Sequence, residues 1–587
     1  MNTDIENLFK DKVLGHPAGL FVLFFTEMWE RFSYYGMRSL LVLFFTASIM
    51  DEGWGWPREW AFAIFGTYTS LVYLSTMLGG YFADNVIGIR KAVVIGALLM
   101  TLGHACMALE TPFFIYCGLG LLVIGSGFFK PNMTSIISEM YEGKAEKKDG
   151  AYTIFYMGVN AGAFLGILLC GYLGEKIGWS WGFGVAGIFM LFGLLQFWYA
   201  QGIFGEIGKG VKNKNIDIID DIVNSEASTE EARNPFTSVQ KIMILVSALL
   251  GLAWIFNDPI SKISEGEYNL FSFNIGALSG SNAAILLALV IFIILLLIRI
   301  PRYSPILRDK MIAVVFFAFV TIFFWAIFEQ SPSSLTVFAK DYTQRTLVGE
   351  TGFIFKIVNS LMTIIPLGII TWVLFLLFKK TFGKYALSNI FLSVSFLIVW
   401  AIAIWMLSAE FQKDTTEVPA SWFSILNSLF IITLAPLFSK WWESKYNPNA
   451  NMKWAIGMFL LGLGMACVAI GASDIEPGAK TASVSMIWLI LVYLFHTMGE
   501  LCVSPVALSY VSKLVPARMI AFMFGIWYLA VAIGMKLAGV FAESSEAIAR
   551  ESGLSSFFWI LTAVSVGLGV LSAILYPVIK KLMHGVR

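Results

Sequence analysis

The chain has 587 residues, of which 58% are hydrophobic and only 13% are charged, and its mean hydropathy is +0.76. Soluble globular proteins carry roughly 25% charged residues, so this composition excludes an ordinary soluble domain. The net charge of +1 by itself says nothing about partners. We therefore predict an all-α polytopic membrane protein that is surrounded by lipid and binds no nucleic acid.

Apolar runs long enough to cross a bilayer recur along the whole chain. A spanning helix needs about 20 residues. About sixteen runs satisfy that requirement, and they lie near 20–47, 59–83, 92–109, 113–139, 151–173, 180–203, 241–257, 282–300, 310–330, 354–378, 387–408, 419–442, 454–472, 484–511, 519–542 and 556–579.

The spacing of these runs predicts the domain organisation. Two six-helix bundles occupy 1–203 and 301–587, and a polar stretch at 204–240 with mixed charges reads as a cytoplasmic linker. Two additional helices at 241–300 lie between the bundles. The C-terminal bundle carries an inserted helical hairpin at about 354–408.

The distribution of basic residues predicts the orientation. Cytoplasmic loops of membrane proteins are rich in lysine and arginine. Alternate loops of this chain fit that rule: Arg90 and Lys91 lie in one loop and Lys379 and Lys380 in another, whereas Glu110–Pro112 holds no basic residue. We therefore expect a multi-pass protein whose N- and C-termini are both cytoplasmic.

Catalytic chemistry is not indicated. The five cysteines all fall in apolar segments without metal-ligand spacing, so we predict neither a disulfide framework nor a metal site. No Ser/His/Asp set or phosphate-cradling loop has convincing spacing. We expect a protein that is not an enzyme and needs no cofactor.

The first span contains charges, which are costly in a bilayer. Glu27, Glu30 and Arg31 lie within an apolar run, and each costs on the order of 3 kcal/mol to insert. Glu27, Arg31 and Tyr35 are four apart, as are Glu30 and Tyr34, so these groups share adjoining helix faces. A structural ion pair is one interpretation. We favour a proton relay or a charged-solute site, because intramembrane ionisable groups usually mark function.

Other spans carry polar residues as well. Lys130 lies deep in the fourth span beside Pro131, and lysine is the cation whose pKa shifts most readily on burial. Further candidates are Tyr156 and Asn160 in the fifth span and, in the second half, Trp325, Glu329, Asn427, Glu500, Ser504 and Trp527. His496, one helical turn before Glu500, reads more readily as a packing residue.

The signs of the charges differ between the two halves. Unpaired cations, Arg31 and Lys130, occur in the first half, and unpaired acids, Glu329 and Glu500, occur in the second. A site between two bundles at mid-membrane would face these charges across a cavity. We expect that cavity to suit a zwitterion. Protonation of Glu27 or Glu30 would release Arg31 and couple proton entry to binding.

Six motifs appear in order along the chain. They are Glu27-x-x-Glu30-Arg31-Phe32-x-Tyr34-Tyr35, Gly127-x-x-Lys130-Pro131-Asn132, Phe155-Tyr156-x-x-x-Asn160, Phe324-Trp325-x-x-x-Glu329-Gln330, Trp422-Phe-x-x-Leu-Asn427 and Gly499-Glu500-Leu-x-x-Ser504-Pro505. Together they resemble the proton-coupled oligopeptide transporters of the major facilitator superfamily. The resemblance implies symport of di- and tripeptides with protons, driven by a proton gradient, in the inner membrane of a bacterium.

The resemblance also implies roles for residues. Proton coupling would fall to Glu27, Glu30, Arg31, Lys130 and Glu329, and Lys130 would pair with the substrate carboxylate or with Glu329. Glu500 would meet the peptide amino terminus. The substrate-binding set that follows is Arg31, Tyr34, Tyr35, Tyr68, Lys130, Tyr156, Asn160, Trp325, Glu329, Asn427, Glu500, Ser504 and Trp527.

Three matters stay open at this point. The pair of spans at 354–378 and 387–408 departs from the family pattern, and we expect it at the periphery, where it leaves the oligomeric state undetermined. A proton-coupled carrier of another small solute, such as a nitrate-like anion or a peptide-like compound, is the alternative function. A channel or receptor is disfavoured, because the charges cluster at one central site instead of lining a pore.

Overall fold

The computed structural model describes residues 6–211, 235–276, 278–514 and 520–585, apart from the side chains of 145 and 505–525. Most of the predicted linker at 204–240 lies outside the described residues. The described chain is helical almost throughout, and its strands form only three two-stranded antiparallel pairs.

The N-terminal bundle consists of six long helices that follow a short β-hairpin. The hairpin strands are Lys12–Val13 (β1) and His16–Pro17 (β2), and the helices are Ala18–Thr46 (α1), Arg58–Phe82 (α2), Ile89–Met107 (α3), Pro112–Met140 (α4), Ala145–Lys176 (α5) and Trp179–Ala200 (α6). Helix α1 packs most extensively on α5. Gly162 and Gly166 allow this close approach, because a Cβ atom at either position would overlap the carbonyl of Met28 or Phe32.

The second half begins with a central pair of helices and a small hairpin between them. The elements are Ser238–Ile263 (α7), Asn274–Ile275 (β3), Leu278–Ser279 (β4), Gly280–Arg299 (α8), Pro305–Phe328 (α9), Ser334–Val337 (α10), Thr346–Val348 (β5), Gly349–Thr381 (α11), Ala386–Phe411 (α12), Thr415–Glu417 (β6), Ile425–Glu443 (α13), Ala450–Gly471 (α14), Ile487–Leu514 (α15), Ile520–Ser552 (α16), Leu554–Ile574 (α17) and Tyr576–Leu582 (α18).

Short 3₁₀- and π-helical segments extend or connect several of these helices. They lie at Ile49–Asp51, Ala83–Ile87, Gln201–Phe204, Ile300–Arg302, Phe338–Tyr342 and Ala420–Ser424. The turn at Ala420–Ser424 leads directly into α13, and the turn at Phe338–Tyr342 leads toward β5.

The sixteen predicted spans correspond to sixteen long helices, α1–α9 and α11–α17. Within the described residues, fifteen of them are long and apolar enough to cross a membrane when at most two charges are allowed per 18 residues. Helix α1 is the sixteenth. Every 18-residue stretch of α1 holds at least three charges, since it contains Glu27, Glu30, Arg31 and Arg38. The prediction of an all-α, multi-span fold is confirmed.

The inserted hairpin, α11–α12, lies at the periphery, but it packs on the N-terminal bundle. Helix α12 lies against α6. Phe396 contacts Phe25 and Trp29 of α1 with ring centroids 5.7 and 5.5 Å away, and Phe391 stacks on Tyr199 of α6. The hairpin lies in the second half of the sequence, but in the structure it packs on the N-terminal bundle.

Candidate functional site

A cavity of about 930 Å³, counting its solvent-filled mouth, lies between the two bundles. Helices α1, α2 and α5 form one wall, and α9, α13 and α15 form the other. Seven of the predicted site residues line it: Tyr35, Tyr156, Asn160, Trp325, Glu329, Asn427 and Glu500. The chain therefore brings polar groups that are more than 400 residues apart into one space.

The charged cluster of α1 lies beside this cavity and is almost completely buried. Arg31 Nε is 2.7 Å from Glu27 Oε1 and 2.9 Å from Glu30 Oε2. Glu30 is 0% exposed, and neither of its carboxylate oxygens has a hydrogen bond of good geometry. Two acids and one base leave this cluster with one excess negative charge, so a proton or a second cation would balance it.

Lys130 supplies a cation next to that cluster. Its Nζ lies 4.2 Å from the ring centroid of Tyr34 and 5.3 Å from that of Tyr73. Among the described residues, no carboxylate oxygen lies within 4.0 Å of Lys130 Nζ. The expected pairing of Lys130 with Glu329 is therefore wrong for this conformation. Aromatic faces stabilise the ammonium group instead.

The partner of Glu329 is Arg38, which the sequence reasoning missed. Arg38 Nη2 lies 2.8 Å from Glu329 Oε2, and both side chains are about nine-tenths buried. The guanidinium also lies over the rings of Tyr34 and Tyr35, at 5.5 and 5.3 Å from their centroids. This ion pair joins the N-terminal bundle to the C-terminal bundle. Glu329 is thus not an unpaired acid, and α1 holds four charges instead of the three that the motif displays.

Glu500 faces the cavity from α15. Asn427 donates a hydrogen bond of 3.0 Å from Nδ2 to Glu500 Oε2, and the same amide lies 3.1 Å from Thr497 Oγ1. No cationic nitrogen lies within 4.0 Å of Glu500 among the described residues. Asn427 therefore fixes the orientation of a carboxylate that has no counter-ion in the protein.

Besides Arg31 and Lys130, four residues of the predicted substrate-binding set do not line the cavity. The ring of Tyr34 is enclosed by Arg38 and Lys130, and Tyr68 is buried with a hydroxyl that lacks a hydrogen-bond partner. Ser504 Oγ is likewise buried without a partner, one helical turn beyond Glu500. Trp527 packs edge-on against Trp454 inside the C-terminal bundle, with centroids 5.9 Å apart.

Other residues line the cavity although their sequence context predicts no role for them. Tyr73 of α2 and Tyr493 of α15 are tyrosines in apolar runs, and Tyr493 accepts a hydrogen bond of 2.9 Å from Ser331. His496 also lines the cavity and stacks on Phe328, with centroids 5.9 Å apart. Tyr493, His496 and Glu500 are spaced three and four residues apart and therefore share one face of α15.

Ion pairs close the cavity at the ends of the bundles opposite the chain termini, which we call the outer side after the orientation predicted from the basic loops. Arg58 of α2 lies 2.6 Å from Asp341 and 2.9 Å from Glu546 of the C-terminal half. Arg550 lies 3.1 Å from Glu59. These contacts, like the pair between Arg38 and Glu329, run from one bundle to the other, so they hold the outer side shut.

Hydrogen bonds and the two ion pairs of Glu417, with Lys176 and Arg345, extend this closure to α5. The carboxylate of Glu175 accepts hydrogen bonds from the backbone N–H groups of Ala420 and Ser421, at 2.8 and 2.9 Å. On the outer loop, partial burial raises the pKa of the Glu417 carboxyl, but the hydrogen bond from Lys176 and the charge of Arg345 outweigh it and lower the pKa overall. Glu417 therefore stays ionised as a bridge between α5 and β5.

Two glycines bring the bundles together at the same side. A Cβ atom built on Gly66 of α2 would lie 2.9 Å from the Cα of Gly539 on α16, and one built on Gly539 would lie 2.8 Å from Gly66 Cα. Only glycine allows backbones this close. At the outer side, the backbones of α2 and α16 are therefore in direct contact, and the ion pairs of Arg58 and Arg550 lie at the same side.

Comparison with known proteins agrees with this architecture. A family model described as the POT family matches residues 90–225 and 391–560. The chain is 30% identical over 582 residues to the peptide transporter YePEPT of Yersinia enterocolitica subsp. palearctica, covering 98% of this chain and 96% of the relative. The chain belongs to the POT family. The predicted family is thereby confirmed.

Two further relatives extend the likeness of this POT family member over its whole length. A di-/tripeptide transporter of Lactococcus lactis subsp. cremoris is 28% identical over 600 residues, covering 99% of this chain and 100% of the relative. A crystal structure of a peptide transporter POT in complex with sulfate superposes with a TM-score of 0.69 at 27% identity, covering 100% of this chain and 99% of the other. The fold and the family are therefore those of a transporter.

Proposed function

We propose that this POT family member is a proton-coupled symporter that imports di- and tripeptides by alternating access. The observation that carries the proposal is the opposition of charges across the cavity. Arg31, Arg38 and Lys130 lie on the side of the N-terminal bundle, and Glu500 lies on the other without a counter-ion among the described residues. A short peptide carries one charge of each sign at its two ends. The relatives named as peptide and di-/tripeptide transporters support this substrate class.

Substrate binding would use both walls. The peptide amino terminus would meet Glu500, whose carboxylate Asn427 already orients. The peptide carboxylate would approach the cationic side, where Arg38 lines the cavity and Lys130 lies behind Tyr34. A carboxylate that competes for Arg38 weakens its pair with Glu329. Binding would then loosen one of the contacts that hold the bundles together.

Proton coupling would reside in the cluster of Glu27, Glu30 and Arg31. The buried Glu30 carboxylate has no good hydrogen bond, so a proton there costs no existing hydrogen bond. Protonation neutralises one of the two acids that hold Arg31 and brings the cluster itself to zero net charge. Burial opposes a net charge in the membrane interior. Proton binding would thus change how strongly the cationic side attracts a peptide carboxylate.

The cell context follows from orientation and family. The basic loops support cytoplasmic termini, and the bacterial relatives support the cytoplasmic membrane as the location. We assign the N-terminal bundle to 1–203, the central pair to 241–300 and the C-terminal bundle to 301–587. Since ion pairs close the outer side, this conformation would exchange its substrate with the cytoplasm.

The test is uptake of labelled dialanine into proteoliposomes with and without an inward proton gradient. The proteins are the wild type, Glu30→Gln, and the matched control Glu142→Gln, which changes an exposed acid. We expect gradient-driven accumulation in the wild type and in the control. We expect Glu30→Gln to lose accumulation by at least about tenfold, which is 1.4 kcal/mol of coupling, while dialanine counterflow survives.

Two outcomes contradict the proposal. If folded wild-type protein shows neither uptake nor counterflow of dialanine, the substrate class is wrong, and nitrate is the next solute to measure. If Glu30→Gln accumulates dialanine like Glu142→Gln, then peptide transport stands, but the proton does not act at the α1 cluster.

A further inference from the structure

Four charged side chains join α7 to α16, and the proposed transport site uses none of them. Asp258 and Lys262 lie on α7, and Lys536 and Glu543 lie on α16; we refer to these four residues as the ionic cluster. Asp258 pairs with Lys536, and also with Lys262 at 2.5 Å. Lys262 in turn pairs with Glu543. Two carboxylates face two ammonium groups, so the ionic cluster is neutral.

Three of the four side chains of the ionic cluster are largely buried between long apolar helices, and Lys262 is 32% exposed. The side chain of Lys536 is only 2% exposed, and those of Asp258 and Glu543 are 12% and 13% exposed. A charge in the bilayer interior is costly unless it is paired, and removing one partner of a buried pair leaves the other uncompensated. A conformational change that separates α7 from α16 therefore has to break contacts that are strong in this environment.

The backbone of α7 packs against α2 of the N-terminal bundle. Thr67 of α2 connects the two helices and the ionic cluster. Its Oγ1 donates a hydrogen bond of 3.1 Å to the carbonyl of Ile255 on α7, and it accepts one of 3.0 Å from Lys536 Nζ. Most of the remaining surface of α7 is exposed. Helix α7 therefore packs on α2 of the N-terminal bundle and forms ion pairs with α16 of the C-terminal bundle.

The ionic cluster adjoins the backbone contact that closes the outer side. Thr67 follows Gly66, and the carbonyl of Lys536 lies 3.2 Å from a Cβ atom built on Gly66. We propose that the ionic cluster is a lock on the outer gate. In this proposal α7 moves with α2, and its pairs with α16 form when the outer side closes and break when it opens. The proposal rests on the alternating access of the proposed function.

This assignment gives the central pair α7–α8 a role in transport. The contact of α2 with α16 is extensive, but at its closest point it lies between two glycines, which offer no side chain to hold the helices together. The ionic cluster supplies the attraction from the lipid side of that contact. Weakening the ionic cluster should shift the resting population toward an outward-open state without touching any residue at the cavity.

The experiment measures the separation of the outer loops directly. Spin labels are placed at Met50→Cys in the loop before α2 and at Asp474→Cys in the loop after α14, both exposed, with the five native cysteines replaced. Distances are measured by double electron–electron resonance in lipid, without peptide or proton gradient. The test variant is the double substitution Asp258→Asn with Lys536→Gln, which leaves Lys262 and Glu543 as a neutral pair. The control is Glu267→Gln, an exposed acid just after α7.

We expect the ratio of long to short distances to rise about tenfold in the double variant and to stay unchanged in the control. Superimposable distributions for wild type and double variant overturn the proposal, and so does an equal shift in the control. If the double variant does not fold, Thr67→Val removes the hydrogen bonds between α2 and the cluster region without creating an unpaired charge, and a smaller shift in the same direction is expected. An unchanged distribution in Thr67→Val then contradicts the lock.

The readout does not depend on the substrate. The distance between the two spin labels can be measured whether or not the protein transports dialanine. Failure of the lock and failure of the proposed function are therefore distinguishable.

Discussion

At the scale of single residues, the pair between Arg38 and Glu329 decides how the bundles attract each other next to the cavity. Both side chains are about nine-tenths buried, and their ion pair is 2.8 Å long. The aromatic rings of Tyr34 and Tyr35 lie against the guanidinium, with centroids 5.5 and 5.3 Å away. A pair in such surroundings contributes more than a pair on the surface, and its loss leaves a charge without compensation.

We predict that Glu329→Gln destabilises this conformation, because Arg38 then keeps a buried charge with no carboxylate beside it. Breaking one partner of a buried pair costs about 3–5 kcal/mol. The midpoint of thermal unfolding in detergent should fall clearly below that of the wild type. Glu350→Gln, an exposed acid at the start of α11, is the matched control and should leave the midpoint unchanged. Equal midpoints for both variants would show that the pair does not hold the bundles.

The residues of the site were predictable where the signal is local. Glu27, Glu30 and Arg31 lie within one helical turn, so their spacing alone predicts that they meet. The partner of Glu329 is 291 positions away, and sequence spacing carries no information about such a contact. Arg38 itself gave a signal that was overlooked: Arg31, Tyr35 and Arg38 follow the i, i+4, i+7 pattern of one helix face.

At the scale of helices, the contact of α2 with α16 depends on the absence of side chains. We predict that Gly539→Ala shifts the protein toward an outward-open state, since the new Cβ atom would lie 2.8 Å from Gly66 Cα and from the carbonyl of Phe62. The helices must separate to accommodate it. The measurement is labelling of Ser331→Cys, at the cavity, by a membrane-impermeant maleimide added to intact cells in a cysteine-free background. Labelling should rise several-fold.

The matched control for this substitution is Gly567→Ala on α17. A Cβ atom there meets no atom within 4 Å, and alanine stabilises a helix interior by roughly 0.5–1 kcal/mol relative to glycine. Gly567→Ala should therefore leave labelling at the wild-type level. If Gly539→Ala also leaves it there, the glycine contact does not set the closure.

The inserted hairpin supplies a second prediction at this scale. Because α12 packs on α6, we expect the hairpin to move together with the N-terminal bundle. A cross-link between Tyr199→Cys and Phe391→Cys, whose native rings stack with centroids 5.6 Å apart, should leave dialanine uptake within about twofold of the uncross-linked protein, a difference of about 0.4 kcal/mol. The measurement compares uptake before and after treatment with a short bifunctional maleimide.

The comparison cross-link joins the two bundles across the outer gate. Glu59→Cys and Arg550→Cys replace an ion pair of 3.1 Å, and linking them should arrest uptake. Arrest by the hairpin cross-link as well would mean that the hairpin slides against α6 during transport, contrary to the prediction.

The helices themselves were predictable, whereas their docking was not. Length and hydropathy identify every span, because a bilayer demands about 20 apolar residues. The same apolar composition hides which face of α12 meets protein, since lipid-facing and protein-facing residues are equally apolar in a membrane. Phe391 and Phe396 looked no different from their lipid-exposed neighbours in sequence.

At the scale of the whole molecule, charge asymmetry between the halves was the most informative global signal. It predicted a site between two bundles, and the cavity with Asn160 on one wall and Glu500 on the other lies there. The order of six motifs predicted the family, which the comparisons confirm. The path of the chain between the bundles could not be predicted, because a hairpin inserted after the first helix of the C-terminal half packs on the N-terminal half.

That return has a mechanical consequence. Because the hairpin packs on the N-terminal bundle, the chain segments before α11 and after α12 must run between the two bundles at the outer side. The strands β5 and β6 in these segments pair with each other. The shorter crossing, from Thr343, which bridges to Val484 of the C-terminal half, to Val348 before α11, is six residues long. Six residues reach at most about 20 Å when fully extended. This six-residue segment therefore acts as a tether between the two bundles. Its extended length sets an upper limit on how far they can separate at the outer side.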